Sequence, residues 1–387
     1  MTQKIQTEVP ICAVIAEYNP FHTGHEYHIA QTRAVLGECY VVVIMSGSFV
    51  QRGEPAVWNK FMRTHPALQC GADAVLELPA AYVLQSADYF AKAGVRIAQA
   101  IGARYLSFGS EYPLSVCRNI ARTMGSMNVE NAQLVRDDMR KGASYARSLG
   151  NYLHNAGIEY SANAMLGGMY MHWIDTLACN IEPVVIYRDN SVYPHASDIR
   201  SKLIAQKPAD DYLKKVLPSA CIDALDGADT TDDALYQNLM LFALRTQPIC
   251  DAMLAGRVSR LSRTCTSYIE LLTQAKTKNI TMARLKRACT RTLLGMDEQF
   301  ITSANREMPV YARLLGYRAG SERLLSLIGN KSTIPFITSP AAFTPLTPLQ
   351  ERLFTFDIAA TDIWNLTSRD VTQRYAGQDY TQGVQVE

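Results

Sequence analysis

Through the first half of the chain, short apolar runs rich in β-branched residues alternate with longer stretches of helical periodicity. The apolar runs fall at residues 11–16, 40–45, 74–78, 105–108 and 183–187, and the helical stretches near 25–36, 59–70, 86–101, 131–156 and 165–179. Short, mostly apolar strands separated by helices predict a parallel sheet covered on both faces. In such a sheet, ligands bind outside the carboxyl ends of the strands. After Arg200 the β-branched runs disappear and the pattern turns helical, with candidates at 236–245, 267–277, 282–294 and 306–315. The stretch 332–348, rich in Pro, Thr and Ser, predicts a surface loop. The expected architecture is α/β: a Rossmann-like domain with a parallel sheet over residues 1–205, followed by a mainly α-helical domain over 206–387.

Composition narrows the class. The 387 residues, 48% hydrophobic and 19% charged, bury a sizeable core and leave room for two domains. No apolar run approaches the roughly 18 to 20 residues that cross a bilayer, and the polar start lacks the form of a signal peptide. A cytoplasmic protein with no membrane partner is expected. Nine scattered cysteines without a C-x-x-C pair read as reduced thiols, not as a zinc or redox centre, and no metal-ligand set is predicted. The net charge of +2 conceals an asymmetry: residues 257–331 carry 14 Lys and Arg against 5 Asp and Glu, a local +9, leaving −7 in the remainder. Such a segment fits either a polyanion-binding face or a set of solvated helix surfaces.

Candidate chemistry concentrates where the first strand gives way to the first helix, at Glu17-Tyr18-Asn19-Pro20-Phe21-His22-Thr23-Gly24-His25. Two histidines at this junction can face one anion, while Gly24 admits a phosphate to the backbone and the helix N-terminus supplies N–H donors. An α-phosphorus under attack gathers charge on its equatorial oxygens, and fixed donors stabilise that charge. A lone histidine is more often structural. The full pattern H-x-G-H, however, arises by chance about once in a hundred chains of this composition, before any demand on its position.

Asn19-Pro20-Phe21-His22-Thr23-Gly24-His25 resembles the HxGH signature of the nucleotidyltransferase superfamily, and the longer stretch from Ile15 and Ala16 through Glu26, Tyr27 and His28 is similar to the tRNA(Met) cytidine acetate ligase family. Ser46-Gly47-Ser48-Phe49-Val50-Gln51-Arg52-Gly53-Glu54-Pro55-Ala56 is similar to that family's S-G-x-F-x-Q-R-G-E-P-A segment, and Lys60 and Arg63 fall at its basic pair. Gly71-Ala72-Asp73, Glu77-Leu78-Pro79 and Phe108-Gly109-Ser110-Glu111 agree as well. The likeness is good over residues 11–205 and loose beyond. It implies that residues 15–28, with Gly109, Asn163, Arg188, Ser197 and Arg200, bind ATP, that His22, His25 and Arg200 are catalytic, and that Gln51, Arg52, Lys60 and Arg63 contact substrate or RNA. Ala196-Ser197-Asp198-Ile199-Arg200 resembles the superfamily's triphosphate-binding helix start, with His195 in place of the usual Ser. Ala162 likewise replaces the Pro that commonly precedes the nucleotide-binding Asn.

Plain structural readings stand beside these. Arg52 can pair with Glu54 or Glu77 to pin its loop, Gly109 can serve a tight turn, Asn163 and Ser197 can cap helices, and Arg188 can be a surface residue. The resemblance implies a two-step ligation in which acetate attacks the α-phosphate of ATP and releases pyrophosphate. The acetyl-adenylate then acylates the N4 amine of the wobble cytidine of elongator tRNA(Met), giving N4-acetylcytidine. ATP with Mg²⁺, acetate and tRNA are the implied cofactors and partners. Within the basic segment, Arg284, Lys286 and Arg287 are the expected RNA contacts, with Tyr268, Tyr311 and Tyr317 as stacking partners or as core. Two other classes also fit the HxGH loop: a nucleotidyltransferase acting on a small phosphorylated substrate, and a non-catalytic RNA-binding protein with a relic nucleotide site.

Overall fold

The apolar runs pair edge to edge. In the computed structural model, which describes residues 8–127, 129–140, 145–189, 195–205, 210–225 and 229–387, they form β1 (Ile11–Ala16), β2 (Tyr40–Ser46), β5 (Ala74–Leu78), β6 (Ala103–Ser110) and β7 (Glu182–Tyr187). A hairpin, β3 (Phe49–Val50) and β4 (Glu54–Pro55), rises after β2, and β8 (Ala312–Tyr317), β9 (Phe336–Ile337) and β10 (Gln385–Val386) come from the second half. The sheet runs β10-β8-β5-β2-β1-β6-β7, with β9 beside β8. Pairing is parallel throughout except between β5 and β8.

Alternate residues of each strand feed opposite faces, as a period of two demands. Ile11, Ala13, Val42 and Ile44 join the core under helices Ala87–Ala100 and Ala162–Thr176. Cys12, Val14, Val41, Val43 and Met45 join a second core with Ile29, Phe61, Leu68, Ile199 and Leu203. Both faces are therefore dry, which explains the near-continuous apolar runs. The chain passes from β1 to β2 and β5 on one side and then crosses back to β6 on the other, so the carboxyl end of β1 is a switch point where a crevice opens.

Most expected helices form within a residue or three of their limits. Three expectations change. The helix expected at 306–315 is instead the end of helix Glu298–Glu307, a left-handed Met308 (φ 48°), and β8. Its sequence, Ala-Arg-Leu-Leu-Gly-Tyr, contains no β-branched residue, so the usual strand signal is missing. The 131–156 stretch forms two helices, Val129–Arg140 and Tyr145–Asn155, with residues 141–144 between them lying outside the described residues. The loop expected at 332–348 contains β9 and the short turn Pro340–Ala342. Several helices were not anticipated, among them Leu114–Gly125, Ala252–Thr264, Glu322–Lys331 and Pro348–Leu366; the last is opened by Thr347, whose side chain accepts from Gln350 N, with Pro in the first turn. Residues 206–209 and 226–228, in the first part of the expected second domain, lie outside the described residues.

Buried charge ties β8 to the sheet. Lys60 Nζ lies 2.8 Å from both Glu77 Oε1 and Asp379 Oδ1, and Arg313 bridges the same two carboxylates at 2.9 and 2.6 Å. Among the described residues, no helix is long and apolar enough to cross a membrane.

Candidate nucleotide-binding active site

Beyond β1 the chain turns through Tyr18, held at a left-handed φ of 47°, and a cis Asn19–Pro20 bond into helix Thr23–Leu36. His22 is the N-cap of this helix. Its Nδ1 accepts from Gly24 N at 3.1 Å, and His25 Nδ1 accepts from His22 N at 3.2 Å, a reciprocal capping box built from two imidazoles. A backbone N–H can only donate. Each neutral ring must therefore carry its proton on Nε2, which makes both Nε2–H groups hydrogen-bond donors. The rings stack with centroids 3.7 Å apart. Burial pushes the His22 imidazole down to about 3, with Arg188 and Arg200 adding to the effect. His25 is held well below its ordinary value by burial and then by His22, His28 and Arg188. The pair is thus neutral near pH 7 in the free protein. His28, one turn on, lies 3.0 Å from Ser107 Oγ and is pushed down to about 4 by burial.

A cavity of about 630 Å³ opens over this helix start, within the usual range for a small-molecule site. Of the residues expected to bind nucleotide, Ile15, Ala16, Glu17, Tyr18, Asn19, His22, Gly24, His25, Tyr27 and His28 line it, joined by Gly109, Asn163, Arg188 and Arg200. Arg200 is fixed by donating from Nη1 to Asn19 O at 2.7 Å. The Asn163 amide donates to Glu111 Oε1 at 2.8 Å, and the cap of its helix is Ser161, which accepts from Ala164 N. Gly109 has no positive φ, and a Cβ there would meet nothing nearer than Ile186 O at 3.9 Å, so the missing side chain keeps open space at the cavity wall. Met165, Leu166, Met169 and Tyr170 complete an apolar wall with Phe90 and Phe108. In the sequence their helical spacing was indistinguishable from ordinary core, and no local signal marked them.

Other expected contacts do not reach the cavity. Pro20 and Phe21 are buried behind it, with Phe21 packed edge-on against Tyr18 at 4.8 Å. Thr23 does not line it, and Glu26 lies beside Cys70. Ser197 is exposed in the first turn of helix Ala196–Ile204, where its hydroxyl donates to Asp198 Oδ1, while His195 occupies the cap position without a side-chain cap bond.

Gln51 and Arg52 reach the cavity from the tip of the β3–β4 hairpin. Gln51 N donates to Glu17 Oε1 at 2.7 Å and its side-chain amide donates to Gln85 O at 3.1 Å. Arg52 is exposed, and the two carboxylates considered as its partners are taken: Glu54 by Lys286, Glu77 by Lys60 and Arg313. Lys60 and Arg63 are correspondingly not RNA contacts. Both are fully buried, Lys60 in the ionic cluster and Arg63 donating to the carbonyls of Glu17, Ser46, Gly47 and Trp58. Arg63 thereby holds the loops on which the cavity is built.

Arg284, Lys286 and Arg287 are also committed internally, to Asp251, Glu54 and Gln51 O. Helix Met282–Leu293 grips the hairpin through Lys286 and Arg287 and through Thr290 Oγ1, which donates to Gly53 O at 2.9 Å. Gly53 is required there: its φ is 79°, and a Cβ would lie 2.4 Å from Arg287 N. Tyr268 and Tyr311 are core residues, and Tyr317 is partly buried on β8. The exposed cations of the basic segment include Arg260, Arg263, Lys276 and Lys278.

A profile of the HIGH Nucleotidyl Transferase family matches residues 9–379. The tRNA(Met) cytidine acetate ligase of Acetivibrio thermocellus is 30% identical over 97% of this chain and 99% of the relative. That of Pediococcus pentosaceus is 33% identical over 74% and 79%. A crystal structure of Thermotoga maritima TmcAL bound with alpha-thio ATP superposes with a TM-score of 0.89 at 26% identity, covering 98% of this chain and all of that one. With its HxGH cap, switch-point cavity and full-length likeness, the chain belongs to the HIGH nucleotidyl transferase family and, within it, to the tRNA(Met) cytidine acetate ligases.

Proposed function

We propose that the protein activates acetate with ATP as acetyl-adenylate and transfers the acetyl group to the N4 amine of the wobble cytidine of elongator tRNA(Met) in the cytoplasm. The observation that carries the chemistry is the reciprocal cap, which fixes two neutral imidazoles as Nε2–H donors in a cavity large enough for ATP. In the first step an acetate oxygen attacks the α-phosphorus and the bond to the β-phosphate oxygen breaks, releasing pyrophosphate. His22 and His25 donate to the α-phosphate oxygens as charge gathers there, without exchanging a proton. Arg200, tethered to Asn19 O, and Arg188 neutralise the departing pyrophosphate. The apolar wall at Met165, Leu166 and Met169 takes the adenine, and Asn163 fixes its orientation.

Among the described residues no group of three or more His, Cys, Asp and Glu is arranged to hold a metal ion. Mg²⁺ is therefore proposed as the counter-ion carried on the phosphates of ATP, where it would offset triphosphate charge. The nine free thiols accord with a reducing compartment. Transfer of acetate label into cytidine, with protein, ATP, Mg²⁺ and bulk tRNA, is the expected result. Acetate-dependent exchange of pyrophosphate into ATP without label in RNA would retain the activation step and discard the acceptor.

A further inference from the structure

The second step needs something the first does not. The lone pair of an exocyclic cytosine amine is delocalised into the ring, so the amine is a weak nucleophile, and it must lose a proton as its bond to the acetyl carbon forms. The two signature histidines are unavailable: each holds its proton on Nε2 and uses Nδ1 to accept from the backbone. His28 is engaged by Ser107 and holds a proton poorly. Burial pushes the phenols of Tyr18 and Tyr170 up, further from any basic form, and the cavity's arginines carry no lone pair to offer.

Among the described residues, the one carboxylate lining the cavity is Glu17. Gln51 N anchors its Oε1 at 2.7 Å, Arg63 Nη1 donates to its backbone carbonyl at 2.6 Å, and its Oε2 has no hydrogen-bond partner among the described residues. Resting on the functional reading above, the geometry points to Glu17 as the general base of acyl transfer: Oε2 accepts from the cytosine amine and removes one of its protons. The amine nitrogen attacks the acetyl carbonyl carbon, and the bond from that carbon to the AMP oxygen breaks. AMP leaves with the electron pair, and the proton passes from Glu17 to water. An acceptor-only carboxylate also favours the amino edge of cytosine over the carbonyl edge of uracil.

Burial holds the Glu17 carboxyl above the ordinary carboxylate range, opposed by the Gln51 N–H and by Arg52, Arg200 and Arg63; Tyr170 is the phenol whose own ionisation Glu17 disfavours. A base raised toward neutrality suits the task.

The test supplies synthetic acetyl-adenylate and tRNA, which isolates the second step from ATP. The unmodified protein acylates tRNA at a rate that rises with pH and then levels as Glu17 ionises. Glu17→Gln, whose amide oxygen keeps the bond to Gln51 N, falls about 10²- to 10⁴-fold and loses the acidic limb. Its acetate-dependent pyrophosphate exchange falls at least tenfold less. A variant as fast as the parent, one that is slow with the limb retained, or one that loses both steps equally would overturn the role. An unmodified protein that exchanges pyrophosphate but never acylates tRNA would overturn the functional reading and the role with it.

Discussion

The hairpin that carries Gln51 and Arg52 to the cavity depends on a single missing side chain, and Gly53→Ala tests that dependence. Two costs add. An alanine at φ 79° meets the left-handed penalty of about 1 kcal/mol. Its Cβ would also lie 2.4 Å from Arg287 N and 2.6 Å from Lys286 C, backbone atoms of helix Met282–Leu293 that cannot rotate away. Forcing that contact apart costs about 1 to 3 kcal/mol by analogy with overpacked cores. Gly295→Ala is the internal control, because Gly295 has φ 72° and nothing within 4 Å of its added Cβ. Gly295→Ala should lose only the left-handed penalty, and Gly53→Ala about 1 to 3 kcal/mol more, read from urea unfolding. Since Gln51 N anchors Glu17 from the same hairpin, Gly53→Ala should also slow acyl transfer while Gly295→Ala does not. Equal destabilisation by both substitutions would refute the steric argument, and full transfer activity in a destabilised Gly53→Ala protein would refute the coupling.

Other predictions address the remaining parts of the site. His22→Ala removes an α-phosphate donor and the helix cap, and should lower acetate-dependent pyrophosphate exchange about 10²- to 10³-fold. Because burial holds His22 down to about 3, the unfolded chain binds its proton first as pH falls; stability is full above about 6.5 and declines toward 3, by up to about 1.4 kcal/mol per unit from this group. Unfolding measured between pH 7 and 4 should show that slope diminished in His22→Asn. Lys60→Met strands Glu77 and Asp379 against Arg313 alone and should cost about 3 to 5 kcal/mol in unfolding free energy, independent of RNA. Arg260→Glu with Arg263→Glu, both exposed on helix Ala252–Thr264, should weaken tRNA binding and flatten its salt dependence, whereas unchanged binding would remove that helix from the interface.

The elements read most accurately from sequence were those whose local pattern and tertiary role coincide. β2 is apolar at every position from Val41 to Met45 because both of its faces are covered, so its run needed no alternation to be recognised. The helix at Thr23–Leu36 announced itself through the motif that also caps it. β8 was misread because its place is set by a partner strand and by Arg313, whose two carboxylates lie at Glu77 and Asp379, far away in sequence. The resemblance set Lys60 and Arg63 at a basic pair facing substrate or RNA, yet both lie on the buried face of helix Lys60–Gln69, and burial assigns them to structure.

The charge asymmetry of the second half acquires a different meaning from the same geometry. Arg284, Lys286, Arg287, Arg291 and Arg313 spend their charge within the chain; the first four sit on the helix that grips the hairpin, and Lys286 and Arg287 reach the hairpin itself. Within a run of cations that looked like an RNA face, Lys286 and Arg287 form a clamp between the helical half and the tip of the nucleotide cavity. That arrangement joins the two steps physically. Displacement of helix Met282–Leu293 by a bound RNA would move Gly53 and Gln51, and with Gln51 the hydrogen bond that anchors Glu17. Acyl transfer should therefore be more sensitive to substitutions in the clamp than adenylate formation is, since the capping box that fixes His22 and His25 is closed entirely within residues 22–25 and owes nothing to the hairpin.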